Sequence, residues 1–180
     1  ARRLTEETPG AMLANQYHNP SNPKAHELST GPEIWEQTEG EVDAVVVAIG
    51  TGGTISGLSS VLRQSIPGIA IIATEPENSP ILSKGIACKH RIMGTAPGFI
   101  PDTLDQEAYD DVIPVNADHA MNVARQLAQS EGIFCGISCG AAVVGMLEYA
   151  GRDEAKDQQL LAILADTGER YLSTELWTCT

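Results

Sequence analysis

Asp43 to Leu62 reads DAVVVAIGTGGTISGLSSVL, and its two halves follow different rules. Ala44 to Ile49 is a β-branched, apolar run of strand length, whereas from Ile55 onward the apolar residues recur at helical spacing. Gly50-Thr51-Gly52-Gly53-Thr54 joins the two halves. Glycines at a strand-to-helix junction turn the chain at little steric cost and gather backbone N–H groups at a helix N-terminus, where a phosphate or carboxylate is favoured. Thr51 and Thr54 add hydroxyl donors, so a phosphate can be held there without Lys or Arg. The plain alternative is a tight turn that binds nothing.

What the loop lacks narrows its meaning. Thr54-Ile55 follows Gly53 where a Walker loop needs Lys and then Ser or Thr, which argues against nucleoside triphosphates. Gly50 and Gly52 fit the first and third positions of the dinucleotide fingerprint, but Ile55 occupies the sixth. Glu75, at the end of the next strand-like run Ile69 to Thr74, stands where a ribose-binding acid belongs. A nicotinamide-dependent enzyme using Gly50, Gly52 and Glu75 is therefore one alternative.

A chain of 180 residues, 42% of them hydrophobic, suffices for one domain spanning 1–180. Its net charge of -13 argues against nucleic acid as a partner. No apolar run approaches the ~20 residues of a membrane helix, and no signal peptide opens the chain, so a cytoplasmic location is expected. Cys88, Cys135, Cys139 and Cys179 have no disulfide framework, and His18, His26, His90 and His119 are scattered. Reduced, packing cysteines and no metal site are the expectation. Ala1 to Glu7 reads as the last turns of a helix whose start is absent, as in a fragment or a processed piece.

Along the chain, Ala11 to Ala14 is a strand candidate, followed by a polar loop, residues 15–23, in which Gln16 is the residue favoured for ligand contact. Thr30-Gly31-Pro32-Glu33 starts a helix with Ile34 and Trp35 facing the core. Residues 75–110 are irregular, with a short helix near Ile81 to Ser83, and such a loop can close over a ligand at Gly50 to Thr54. Val112 to Val115 is a strand, Asn116 or Asp118 caps a helix ending at Gly132, and Gly136 to Ala142 is a turn leading into a helix from Ala141 to Ala150. Ser138 is expected to cap that helix or face a ligand. A last strand runs from Leu160 to Ala165. The alternation predicts a three-layer α/β fold, a parallel sheet with helices on both faces and ligands at the carboxyl ends of its strands.

Taken together, Thr30-Gly31-Pro32-Glu33-Ile34-Trp35, Gly50 to Thr54, Gly98-Phe99-Ile100-Pro101, Gly136-Ile137-Ser138 and Gly168-Glu169-Arg170-Tyr171-Leu172-Ser173-Thr174 occur in the order found in cysteine synthases (O-acetylserine sulfhydrylases). The chain resembles the carboxy-terminal portion of these pyridoxal 5'-phosphate enzymes of the tryptophan-synthase β fold. The resemblance implies that Gly50, Thr51, Gly52, Gly53 and Thr54 cradle the cofactor phosphate and that Ser138 bonds the pyridine nitrogen. It places Gln16 near the substrate carboxylate and Gly94 in the loop lining the mouth of the site. The implied reaction is β-replacement of O-acetylserine by sulfide to give L-cysteine, with a lysine as proton carrier. A homodimer and binding of the serine acetyltransferase carboxy-terminal tail are implied for the full-length enzyme.

Three departures accompany the resemblance. The family's Schiff-base lysine lies in an amino-terminal half missing here, and Lys24, Lys84, Lys89 and Lys156 match none of that half. No residue of this chain is therefore assigned as catalytic. Gly94-Thr95-Ala96-Pro97-Gly98 replaces a more glycine-rich loop, and Ala165 stands where many members have proline. A non-catalytic relative that binds pyridoxal phosphate or a peptide is the main alternative, with cystathionine β-synthase as the next family.

Overall fold

The run after Asp43 becomes β1 (Ala44–Ala48), and the run after Pro67-Gly68 becomes β2 (Ala70–Pro76). With β3 (Asp111–Val115) and β4 (Leu160–Ala162) they form one parallel sheet in the order β3-β2-β1-β4. This is a computed structural model, and it describes residues 1–178. The helices are α1 (Arg2–Glu7), α2 (Ser21–Leu28), α3 (Thr30–Gln37), α4 (Gly53–Ser65), α5 (Ile81–Lys84), α6 (Ala117–Gln126) and α7 (Ile137–Ala150).

Both faces of β1 are covered, which is why its sequence is apolar throughout rather than alternating. Val45 and Val47 pack with Ile71 and Ala73 under Ile55, Leu58 and Leu62 of α4 and Ile34 of α3. Ala44 and Val46 pack with Ile72 under α6 and α7, where Met121, Ala124, Ile137 and Val144 fill the layer. A fully buried leucine such as Leu58 contributes about 2 kcal/mol by burial alone, and truncating it to Ala costs about 2–5 kcal/mol with the cavity included. Arg63 of α4 pairs with Asp110 at 2.8 Å, and Asp110 also accepts from Ile71 N at 2.7 Å, which ties the start of β3 to β2.

The sheet order decides where a ligand belongs. The chain steps outward from β1 to β2 to β3, then crosses back to lay β4 on the other side of β1. The loops leaving β1 and β4 therefore diverge to opposite faces of the sheet and open a crevice at its carboxyl edge.

Several expectations need correction. Ala11 to Ala14 is exposed coil, because no strand of the sheet lies beside it to take its hydrogen bonds. Ile34 is buried, but Trp35 is 47% exposed, a helical step of about 100° having carried it off the α4 face. Gly136 to Ala142 is no turn: α7 begins at Ile137, and burial of its first nine residues overrides their weak helix propensity. Ser138 therefore lies inside the first turn, past the capping position that Gly136 holds. β4 ends at Ala162 rather than Ala165. Asn116, not Asp118, caps α6, accepting from Asp118 N and His119 N. A π-helical turn, Leu127–Glu131, separates α6 from Gly132. Glu75 lies within β2, buried, and its carboxylate accepts from Leu82 N, Ser83 N and the Ser83 hydroxyl at the start of α5. Those bonds occupy the acid that the nicotinamide alternative requires.

Candidate functional site

The loop at the end of β1 is wrapped so closely that side chains at its glycines would have no room. A Cβ on Gly50 would lie 2.3 Å from the Gly94 carbonyl oxygen, and one on Gly53 would lie 1.9 Å from Asn22 Oδ1. Gly52 has φ +80° and caps α4, and a Cβ there would meet Leu104 at 2.4 Å. Backbone, not side chain, thus lines the cradle, and the positive end of α4 opens into it. The amide N–H groups of Gly52, Thr54 and Ile55 have no acceptor among the described residues. An anion with several oxygens is the chemistry these donors suit.

The two threonines are held from behind. Thr51 Oγ1 accepts from Asn22 Nδ2 at 2.9 Å and from Gly53 N at 3.2 Å, while Thr51 O accepts from the Thr103 hydroxyl at 2.7 Å. Thr54 Oγ1 lies 3.2 Å from His26 Nε2, and His26 Nδ1 lies 2.9 Å from Thr30 Oγ1. Burial pushes the His26 pKa below its ordinary 6.5, which keeps the ring neutral. No Lys side chain contributes, since all four lysines are exposed to solvent.

The second wall comes from α7. Cys135 pairs with Thr167 just beyond β4, which brings the segment before α7 to the carboxyl edge of the sheet, so α7 starts there. Ser138 is 9% exposed, and its hydroxyl has no hydrogen-bond partner among the described residues. Asp166 braces this corner, accepting from the Tyr171 hydroxyl and from Cys139 Sγ at 3.3 Å. Burial, then the hydrogen bond to Asp166, pushes the Tyr171 pKa up, so the phenol stays protonated as a donor. The neighbouring Cys139 and burial push the Cys135 thiol up, which suits an inert packing residue.

Gln16 and Gly94 both reach the cradle by their backbones. Gln16 O accepts from Asn22 Nδ2 at 2.8 Å, so one amide ties the 15–23 loop to Thr51. Gly94 lays its carbonyl over Gly50, and Ala96 N donates to Ile49 O at 3.0 Å in the same stretch. Asn22, His26, Thr103 and Asp166 support the site although the sequence reading passed over them. The four-residue spacing of Asn22 and His26, which puts both on one face of α2, was the signal available.

The pyridoxal-phosphate dependent enzyme family matches residues 1–166. A cysteine synthase of Staphylococcus aureus is 45% identical over 179 residues, covering 99% of this chain and 57% of that protein. Among solved structures, a cysteine synthase of Entamoeba histolytica superposes with a TM-score of 0.93 at 42% identity, covering 99% of this chain and 53% of that one. An O-ureido-L-serine synthase superposes at 0.92 with 41% identity, covering 98% and 56%. The chain thus spans a little over half the length of the relatives it matches. By sequence and fold, the chain belongs to the family of pyridoxal-phosphate dependent enzymes.

Proposed function

We propose that this chain is the part of a cysteine synthase that holds the cofactor's phosphate and pyridine nitrogen, the catalytic lysine lying outside it. The whole enzyme would make L-cysteine from O-acetylserine and sulfide by β-replacement. The cradle carries the reading: three glycines that admit no Cβ, unpaired amides at the mouth of α4 and two threonine hydroxyls suit a phosphate. Gly50, Thr51, Gly52, Gly53 and Thr54 would hold that group, with Ser138 at the other end of the ring. When bound, pyridoxal phosphate supplies the electron sink that lets a β-substituent leave and a nucleophile take its place.

The chain's own residues orient and exclude. The neutral Ser138 hydroxyl would hold the ring nitrogen by donating a hydrogen bond without protonating it, which would moderate electron withdrawal and suit β-elimination. Gln16 stands beside the cradle for the substrate carboxylate, and Gly94 lines the mouth. Exposed Ile133, Phe134 and Leu164 near the crevice suit a covering segment that excludes water. A homodimer, a cytoplasmic location and an occasional serine acetyltransferase tail in the cleft belong to the same reading. No helix is long and apolar enough to cross a membrane among the described residues.

The test has two arms. In the 180-residue chain incubated with one equivalent of pyridoxal phosphate and then borohydride, mass spectrometry should show no single site among Lys24, Lys84, Lys89 and Lys156 reduced to a stoichiometric adduct, only low scattered labelling of these exposed amines. The full-length protein given O-acetylserine and sulfide should release L-cysteine. A full-length protein that binds the cofactor but yields no L-cysteine would refute the reading.

A further inference from the structure

The Thr51 hydroxyl has no choice of role. Asn22 Nδ2 also donates to the Gln16 carbonyl, which can only accept, so the orientation of the Asn22 amide is fixed and Nδ2 is the atom facing Thr51. With Gly53 N as the second donor, both lone pairs of Thr51 Oγ1 are taken. Its proton has to point elsewhere, and no acceptor for it exists among the described residues.

His26 offers the same service to Thr54. A neutral imidazole carries one donor and one acceptor, so only two arrangements satisfy both of its contacts. In one, Nδ1–H donates to Thr30 and Nε2 captures the Thr54 proton, leaving only lone pairs toward an anion. In the other, Thr30 donates to Nδ1 and Nε2–H donates to Thr54, whose own proton is then free. The second arrangement repeats what Asn22 does for Thr51. It also suits a loop whose remaining groups are all donors.

The two residues sit one turn apart on α2, and α4 admits them by glycine at the facing positions. A Cβ on Gly53 would strike Asn22, and one on Gly57 would lie 2.7 Å from His26 Cβ. We propose that Asn22 and His26 are positioning residues that aim the hydroxyl protons of Thr51 and Thr54 out of the loop, making both threonines fixed donors to the cofactor phosphate. This inference rests on the proposed cofactor site. It assigns the donor geometry of that site to a helix that does not itself touch the ligand. Preset donors need no reorientation when the anion arrives, which saves an ordering cost on binding.

The first measurement is the tautomer of His26 in the full-length holoenzyme, read from two-bond proton–nitrogen couplings of the imidazole, with His26→Gln for assignment. Protonated Nε2 with a bare Nδ1 is expected, and a protonated Nδ1 overturns the proposal for His26. The second compares dissociation constants of pyridoxal phosphate and of pyridoxal, which lacks the phosphate, for Asn22→Ala, Thr51→Val and the double variant. Each single change should weaken pyridoxal phosphate about tenfold and pyridoxal little, with the double variant no weaker than either single one. Losses that multiply to about a hundredfold, or equal losses for both ligands, overturn it. Wild-type protein that binds no pyridoxal phosphate overturns the cofactor reading along with it, whereas binding with multiplied losses overturns this inference alone.

Discussion

Replacing Gly52 by Ala tests whether the cradle is built by close approach or only by a turn. Gly68 provides the comparison, for its φ of +86° resembles the +80° of Gly52, yet a Cβ on Gly68 would meet nothing within 4 Å. Gly68→Ala should therefore report the left-handed backbone alone, about 1 kcal/mol after allowing for the reduced freedom of the unfolded chain. At Gly52 the new methyl carbon would lie 2.4 Å from Leu104 Cβ and 2.8 Å from Leu104 Cα. Leu104 cannot rotate clear, because the contact includes its backbone and its neighbour Thr103 is bonded to Thr51 O. Overpacking of this kind adds about 1–3 kcal/mol, for a total of about 2–4 kcal/mol.

Urea denaturation without ligand separates the two cases. With a slope of about 2 kcal/mol per molar urea, the midpoint should fall by about 0.5 M for Gly68→Ala and by about 1–2 M for Gly52→Ala. Gly52→Ala should also abolish binding of pyridoxal phosphate, whereas Gly68→Ala, on the far side of α4, should leave it unchanged. Equal midpoints for the two variants would refute the argument that Leu104 and the loop are locked together.

Ser138→Ala should move stability by less than about 0.5 kcal/mol, because its hydroxyl bonds nothing among the described residues, yet kcat/KM of the full-length enzyme should fall about tenfold; a loss of stability without a loss of rate would assign the hydroxyl to packing. Ala96 is a non-glycine residue at φ +36°, so Ala96→Gly should relieve about 1 kcal/mol and raise the Tm by about 2–4 °C, and a lower Tm would show that its buried methyl group matters more. The folded pKa of His26 lies below its unfolded 6.5, so the unfolded chain takes the proton first. Its contribution to stability is complete above that value and is lost as the pH falls through 6.5 toward the folded pKa. Thermal melts at pH 7.5 and 5.5 should therefore show a smaller acid loss for His26→Gln than for wild type.

Residues whose role is set locally were legible in the sequence. Ala44 to Ala48 and the glycine loop declare a strand and a helix start because β-branching and glycine act on their own backbone. Asn116 as a cap and Gly132 as a stop are likewise local. Roles that depend on a distant partner were not legible. Ala11 to Ala14 has strand composition, but whether a strand forms depends on a neighbour with free hydrogen bonds. Glycine, serine and cysteine at residues 136–140 are poor helix formers in isolation, and only their burial against α6 and the sheet makes them the start of α7. Asn22 looked like one more turn former in a polar loop, since nothing local reveals that its amide reaches Thr51, 29 residues away.

That contrast explains why the glycine motif alone supports several readings while the folded site supports fewer. A strand–GTGGT–helix unit presents donors, which any anion can use. The crossing back from β3 to β4 adds the second wall, because it brings the start of α7, with Ser138, to the same edge as the start of α4. One helix N-terminus with unpaired amides suits the doubly charged end of a ligand. The other offers a single neutral hydroxyl, backed by Asp166 bound to Tyr171 and Cys139, and suits an uncharged ring acceptor. A flat heteroaromatic with a phosphate at one end and a ring nitrogen at the other meets both demands, whereas a dinucleotide would need the carboxylate of Glu75, which the start of α5 already holds.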